Sequence, residues 1–285
     1  MSFAGGYKAA GPERVASWPR WVGANFARGA AALGRARRAR RKPVWRASLR
    51  VWAAALVALL VIGAVMAFAD AAIAEAVKHL PQWVLATFAF LTDFGKSGWF
   101  LWPSGLLLVV IAAFASPALA PIHRLVLAAV AVRAGFLFAA IAAPGLFVTV
   151  IKRVIGRARP FVGEQADPFL YMQLVWRADY ASMPSGHATT AFAAVVAVGL
   201  LWPRLRLPML AYAVVIAVSR VALDAHYLSD VIAGAIAGGV GAQLVRDWFE
   251  ARRLGFAIDA DGGIHARPGP GWVRIKRVAR RLIGP

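Results

Sequence analysis

The chain has 285 residues, is 60% hydrophobic and carries a formal charge of +20. Its apolar residues are gathered into long uncharged blocks, which argues for one integral membrane bundle and against a pair of soluble domains. Cysteine is absent, which excludes a disulfide framework, a thiolate metal site and a cysteine nucleophile.

In residues 1–50 the basic side chains include Lys8, Arg14, Arg20, Arg28 and the run Arg35–Pro43, against one acid, Glu13. This reads as a basic cytoplasmic arm that fixes topology by the positive-inside rule, with affinity for anionic lipid compatible with it. No nucleic-acid-binding module accompanies the charge, so no nucleic-acid partner is expected. The first apolar run begins about fifty residues in, too late for a cleaved secretory signal.

Val51–Ala69 is long and apolar enough to cross a bilayer. The stretch QWVLATFAFLTDFGKSG is broken by Asp93, Gly95 and Lys96 and is expected to be interfacial or re-entrant. A second span is expected from Phe100 to about Ala115, with Pro103 near its start, where proline is tolerated. The third is Ala134–Ile151, with Arg133 snorkelling at its entry and Pro144-Gly145 suggesting a kink. After a polar connection, Phe161–Met183, come Ala188–Pro203, Leu207–Ala222 and Val231–Val245. Gly234 and Gly238 in the last of these suit close helix packing, within one chain or between chains. The expected architecture is all-α, a polytopic bundle of about six transmembrane helices over residues 51–248. Residues 249–285 form a basic cytoplasmic tail. In it FAIDADGGIHARP reads as a hairpin and WVRIKRVARRLI as an amphipathic helix lying on lipid. An even span count puts both termini on one side. They are also the basic segments, so that side is the cytoplasm.

With this parity, three distant segments meet on the extracytoplasmic face. The third span leaves with Lys152, Arg159 and Pro160, the fourth enters with Pro184-Ser185-Gly186-His187, and the turn between fifth and sixth holds Ser219, Arg220, His226 and Asp230. Lys152 and Arg159, about two helical turns apart, can share a side, and with Arg220 they can clamp a phosphate. Ser185 and Gly186 precede a helix whose N–H groups and dipole favour an anion. His226 and Asp230 are spaced i, i+4, so the carboxylate can hold one ring nitrogen and free the other to attack phosphorus, leaving His187 to protonate the departing oxygen. Two histidines and a carboxylate could instead bind a metal, but the surrounding cations would repel a divalent ion, so no metal and no cofactor are expected.

The pattern K-x6-R-P, P-S-G-H and S-R-x5-H-x3-D, over Lys152–Pro160, Pro184–His187 and Ser219–Asp230, resembles the type 2 phosphatidic acid phosphatase superfamily, which includes membrane lipid phosphatases and soluble vanadium haloperoxidases. The resemblance spans roughly residues 100–245 and departs at no fixed position. It implies a metal-independent phosphatase in which His226 forms a phosphohistidine, Asp230 orients it and His187 is the general acid. Lys152, Arg159, Ser185, Gly186 and Arg220 would hold the phosphate. It also implies a bacterial inner-membrane protein acting on the periplasmic face. The expected substrate is a phosphorylated lipid: undecaprenyl pyrophosphate, phosphatidylglycerophosphate, phosphatidic acid or lipid A. A lipid phosphotransferase with the same site, or a non-catalytic lipid-binding or transport protein, are the alternatives.

Overall fold

At the centre of the molecule is a helix built largely of small residues. In the computed structural model, which describes residues 13–35 and 44–283, this helix, α7 (Gly186–Leu201), buries Ala188, Ala191, Ala193, Ala194 and Ala197 completely. It packs against α6 (Pro121–Ile155), α8 (Arg206–Ala222) and α9 (Leu228–Ala251). Lipid tails are as apolar as leucine, so helices associate in a membrane through close backbone approach rather than through water exclusion. The glycines of α9 supply that approach: a Cβ on Gly238 would stand 2.1 Å from the Thr189 carbonyl oxygen, and one on Gly241 would stand 2.6 Å from the Pro144 Cβ. Gly234 and Gly238 therefore pack within the chain.

Around this centre lie α1 (Glu13–Leu33), α2 (Val44–Phe68), α3 (Asp70–Val77), α4 (Gln82–Thr92) and α5 (Gly98–Phe114). Among the described residues, five segments are long and apolar enough to cross a membrane: Leu49–Phe68, Gln82–Phe114, Pro121–Ile155, Pro203–Ala222 and Leu228–Ala251. The apolar helix α7, with 16 residues, is shorter than these. The second segment joins α4 to α5 through a 3-10 turn, Asp93–Gly95, at the place where the sequence breaks. Leu56, Leu59 and Leu60 of α2 are exposed on the bare protein, the surface that a bilayer covers.

One expectation changes at α6. The helix has 35 residues and begins at Pro121, because a proline at the first position gives up only an N–H that has no helical partner. Arg133 consequently lies inside the helix rather than snorkelling at its entry, and its guanidinium donates to the carbonyls of Ala129 (2.9 Å) and Arg267 (2.5 Å). The helix also continues through Pro144.

At the far end of the bundle from the Ser185 turn, β1 (Phe256–Ile258) and β2 (Ile264–Ala266) form the expected antiparallel hairpin, followed by α10 (Trp272–Ile283). The apolar edge of α10 does not face lipid. Val278 is buried against Ile111, Val126 and Leu127, with Ile275 and Leu282 beside it, because protein offers that edge a fitted surface. α1 docks nearby: Trp21 Nε1 donates to the Ala113 carbonyl (3.2 Å), and Asn25 Nδ2 donates to those of Ala112 (2.8 Å) and Ala115 (3.1 Å). These carbonyls belong to the last turn and the C-cap of α5, where a helix runs out of its own N–H donors. The arginine run over 36–43 lies outside the described residues.

Candidate functional site

Gly156 decides where the site's first cations go. It ends α6 with φ +65°, and a Cβ there would lie 1.9 Å from the Met172 carbonyl oxygen, so no side chain fits. Beyond it the chain is extended: Arg157 bridges Tyr171, Ala158 N–H donates to Leu170 O (2.9 Å) and Arg159 N–H to Asp179 O (2.8 Å). Arg159 is thus not on the helix that carries Lys152, and the two-turn spacing argument does not apply. The glycine reversal nonetheless leaves the two side chains within Coulombic range of each other.

Ser185 is the N-cap residue of α7, and its own N–H donates to the Asp230 carbonyl (2.9 Å), which joins the Ser185 turn to the start of α9. A Cβ on Gly234 would stand 2.4 Å from Ser185 O and 3.2 Å from Ser185 N, so the turn rests directly on bare α9 backbone. The first N–H groups of α7 have no carbonyl earlier in the helix and carry the positive end of its dipole. The turn at Gly95 lies against His187: a Cβ there would approach the His187 ring at 2.9 Å.

His226 and Asp230 do not share a helix face. His226 sits in the turn before α9, Tyr227 is the N-cap, and Asp230 is the third residue of the helix. Asp230 Oδ2 accepts from Tyr227 N–H (2.9 Å) and Ser182 Oγ (2.5 Å), while His226 Nδ1 lies 3.8 Å from Oδ2 and 3.5 Å from Ser182 Oγ. Nδ1 therefore faces the carboxylate and the serine, and Nε2 is the ring nitrogen left for other chemistry. Burial pushes the His226 pKa below its ordinary value, and the Asp230 carboxylate only partly opposes this.

All eight residues singled out in the sequence fall in this one region. His187 is within Coulombic range of Arg220, His226 and Arg159, and Arg159 of Asp230. Arg220 Nη1 donates to Thr92 Oγ1 (2.8 Å). Arg159 Nε, Arg220 Nε and Ser185 Oγ are buried without a hydrogen-bond partner among the described residues. Buried polar atoms almost always have partners, so a cluster of unsatisfied donors marks a place prepared for an acceptor from outside the chain.

Six residues at or behind the site were not singled out in the sequence: Asp70, Thr92, Gly95, Arg157, Ser182 and Ser229. A signal existed for Asp70, an acid directly after a long apolar run, since an ionisable residue at the edge of a membrane segment is costly to bury without use. Arg157 stood in the same motif as Arg159, masked by it.

Residues 133–254 match the PAP2 superfamily. A lipid A 1-phosphatase of Rhizobium johnstonii is 34% identical over 251 residues, covering 86% of this chain and 96% of that protein. A lipid A 1-phosphatase of Rhizobium etli is 37% identical over 144 residues, covering 50% of this chain and 58% of that protein. Among solved structures, a transmembrane PAP2-type phosphatidylglycerolphosphate phosphatase from Bacillus subtilis matches with TM-score 0.48 and 22% identity, over 67% of this chain and 90% of its own. The near-complete alignment with the Rhizobium johnstonii protein, taken with the helices long and apolar enough to span a bilayer, makes this chain a member of the PAP2 superfamily and a membrane lipid phosphatase.

Proposed function

We propose that the chain removes the 1-phosphate of lipid A through a phosphohistidine intermediate, from the periplasmic face of the bacterial inner membrane. The unsatisfied donors Arg159 Nε, Arg220 Nε and Ser185 Oγ carry the phosphoryl-transfer part of this reading. Together with Lys152 and the first N–H groups of α7 they supply fixed positive charge and dipoles for the oxygens of a transferring phosphoryl group. The relatives support the choice of lipid.

His226 Nε2 attacks phosphorus as the bond from phosphorus to the lipid oxygen breaks. His187 delivers a proton to that oxygen. Asp230 balances the positive charge on the phosphorylated ring from the Nδ1 side. Water then attacks the phosphohistidine, His187 takes the proton from it, and inorganic phosphate leaves with the imidazole restored. Sidedness is supported by the basic residues at the opposite end of the helices, among them Arg124, Arg204, Arg206, Arg252, Arg253 and the arginines of α10.

The test uses purified protein in detergent with lipid A, phosphatidic acid, phosphatidylglycerophosphate and undecaprenyl pyrophosphate. Free phosphate is measured and the lipid product is mapped by mass spectrometry. Lipid A should lose its 1-phosphate, and H226A should release none. Turnover of the other lipids but not lipid A overturns the substrate, and an active H226A overturns the nucleophile. A C-terminal reporter that signals from the periplasm overturns the sidedness.

A further inference from the structure

Arg157 is fully buried, as are Asp70 and Asp230, and the reaction above makes no use of Arg157 or Asp70. A guanidinium leaves water only where carboxylates and other acceptors replace its hydration. Here Nε donates to Pro168 O (2.9 Å), Nη1 to Asp230 Oδ1 (2.5 Å) and Ser229 Oγ (2.7 Å), and Nη2 to Asp70 Oδ2 (2.8 Å). The guanidinium lies 4.3 Å from the centre of the Tyr227 ring. Asp70 is fixed in turn: Oδ1 accepts Ser229 N–H (3.0 Å), and Oδ2 accepts the Ser229 hydroxyl. The fork thus has one carboxylate on each side, and the inner one is the partner of His226.

We propose that Arg157, clamped by Asp70, is a positioning residue that fixes the rotamer of Asp230 and so aims Nε2 of His226 at the phosphorus. The proposal rests on His226 being the nucleophile. Arg157 holds Oδ1, which turns Oδ2 toward Ser182 and Nδ1 of His226. Asp70 is the first residue of α3 and lies outside residues 133–254, so a helix before the matched segment completes the support of the nucleophile. Thr92 and Gly95 come from the same stretch of chain and touch Arg220 and His187.

The two carboxylates and the guanidinium leave one net negative charge behind His226, and this gives the arrangement a signed signature. The charged groups around His226 are Asp230 on α9, Arg159 on the extended segment, Arg220 on α8 and His187 on α7. Asp70→Asn leaves the full charge of Arg157 on Asp230, so the proton on His226 is held less well and the acid limb of kcat/KM moves to lower pH. Arg157→Gln removes that charge and moves the limb to higher pH. A general loosening of the fold has no reason to displace the two in opposite directions.

The experiment measures kcat, KM and the pH profile of full-length wild type, H226A, D70N, R157Q and R157K in detergent, with lipid A and dioctanoyl phosphatidic acid as substrates. Thermal unfolding is followed on the same samples. An inactive wild type or an active H226A defeats the reading of the site itself. With those controls in order, D70N and R157Q should lose about 10–100-fold in kcat, with KM within about threefold and the acid limbs displaced oppositely. R157K keeps the charge and guards against misfolding. An ammonium cannot span both carboxylates as the fork does, so it should still lose about tenfold in kcat at near-native thermal stability. Wild-type kcat in folded R157K, or unmoved acid limbs in folded D70N and R157Q, overturns the positioning role.

Discussion

Gly234→Ala tests whether the Ser185 turn is held in place by bare helix backbone. The added methyl would stand 2.4 Å from Ser185 O and 3.1 Å from the Ala188 Cβ, so two elements must separate to admit it. An ordinary carbon–oxygen contact is about 3.4 Å, so the turn has to retreat by roughly 1 Å. Overpacking of this kind destabilises by about 1–3 kcal/mol, and a displacement of about 1 Å at a reacting centre can lower the rate about 100-fold. Gly239 on the same helix is the internal control: a Cβ there meets nothing within 4 Å, so Gly239→Ala should gain up to about 1 kcal/mol from helix propensity alone. The assay is phosphate release per folded enzyme, with thermal unfolding in detergent alongside. G234A should lose far more activity than its fall in stability explains, and G239A should lose none. A G234A enzyme within about twofold of wild-type kcat/KM would refute the idea that this contact sets the phosphate cradle.

Three further outcomes follow from the geometry. Gly156→Ala must take up both the positive φ and a 1.9 Å clash with the Met172 carbonyl, so it should lower the unfolding midpoint and the folded yield sharply; a native-like midpoint would show that the chain reversal has another route. On the proposed mechanism the neutral ring of His226 attacks, and burial depresses its pKa, so the acid limb of kcat/KM should fall below the ordinary histidine value of about 6.5, and a limb at or above it would contradict the burial argument. The same depressed pKa means that the stability contributed by the neutral ring is complete above about pH 6.5 and is lost as pH falls toward the folded-state value. Val278→Asp places a charge against Ile111, Val126 and Leu127, so limited trypsin digestion at the arginines of α10 should speed up; unchanged digestion would mean that the tail is not anchored there.

The spans and the motif residues were legible because hydropathy and short-range spacing encode them. Four features were not, and each depends on a long-range partner. The joining of Lys152 and Arg159 was expected from helical spacing, whereas it follows from the Gly156 reversal, which only the Met172 backbone opposite explains. The pairing of His226 with Asp230 was expected on a helix face, whereas His226 precedes the helix and Ser182, 44 residues earlier, lies beside both groups. The tail helix was legible as amphipathic, but periodicity does not distinguish a lipid surface from the packed side of α5 and α6. Asp70 and Arg157 are 87 residues apart in sequence, and their pairing is a property of the fold alone.

The brevity of α7 has a consequence for how substrate arrives. Sixteen residues rise about 24 Å, some 6 Å less than a typical hydrocarbon core of about 30 Å. If Trp202 marks one boundary of the apolar layer, the Ser185 turn and His187 lie below the other. Because α7 is enclosed by α6, α8 and α9 rather than by lipid, its polar turn can lie below the rim of the bundle, and a phosphate that reaches it has to descend into the protein. On the proposed mechanism, the group being cleaved would then meet the imidazoles of His187 and His226 within the bundle rather than in bulk solution. A site set below the rim of the bundle would sort substrates by attachment. A phosphate carried on acyl chains can be drawn down sideways from the leaflet, while a free phosphate ester has no anchor to hold it there.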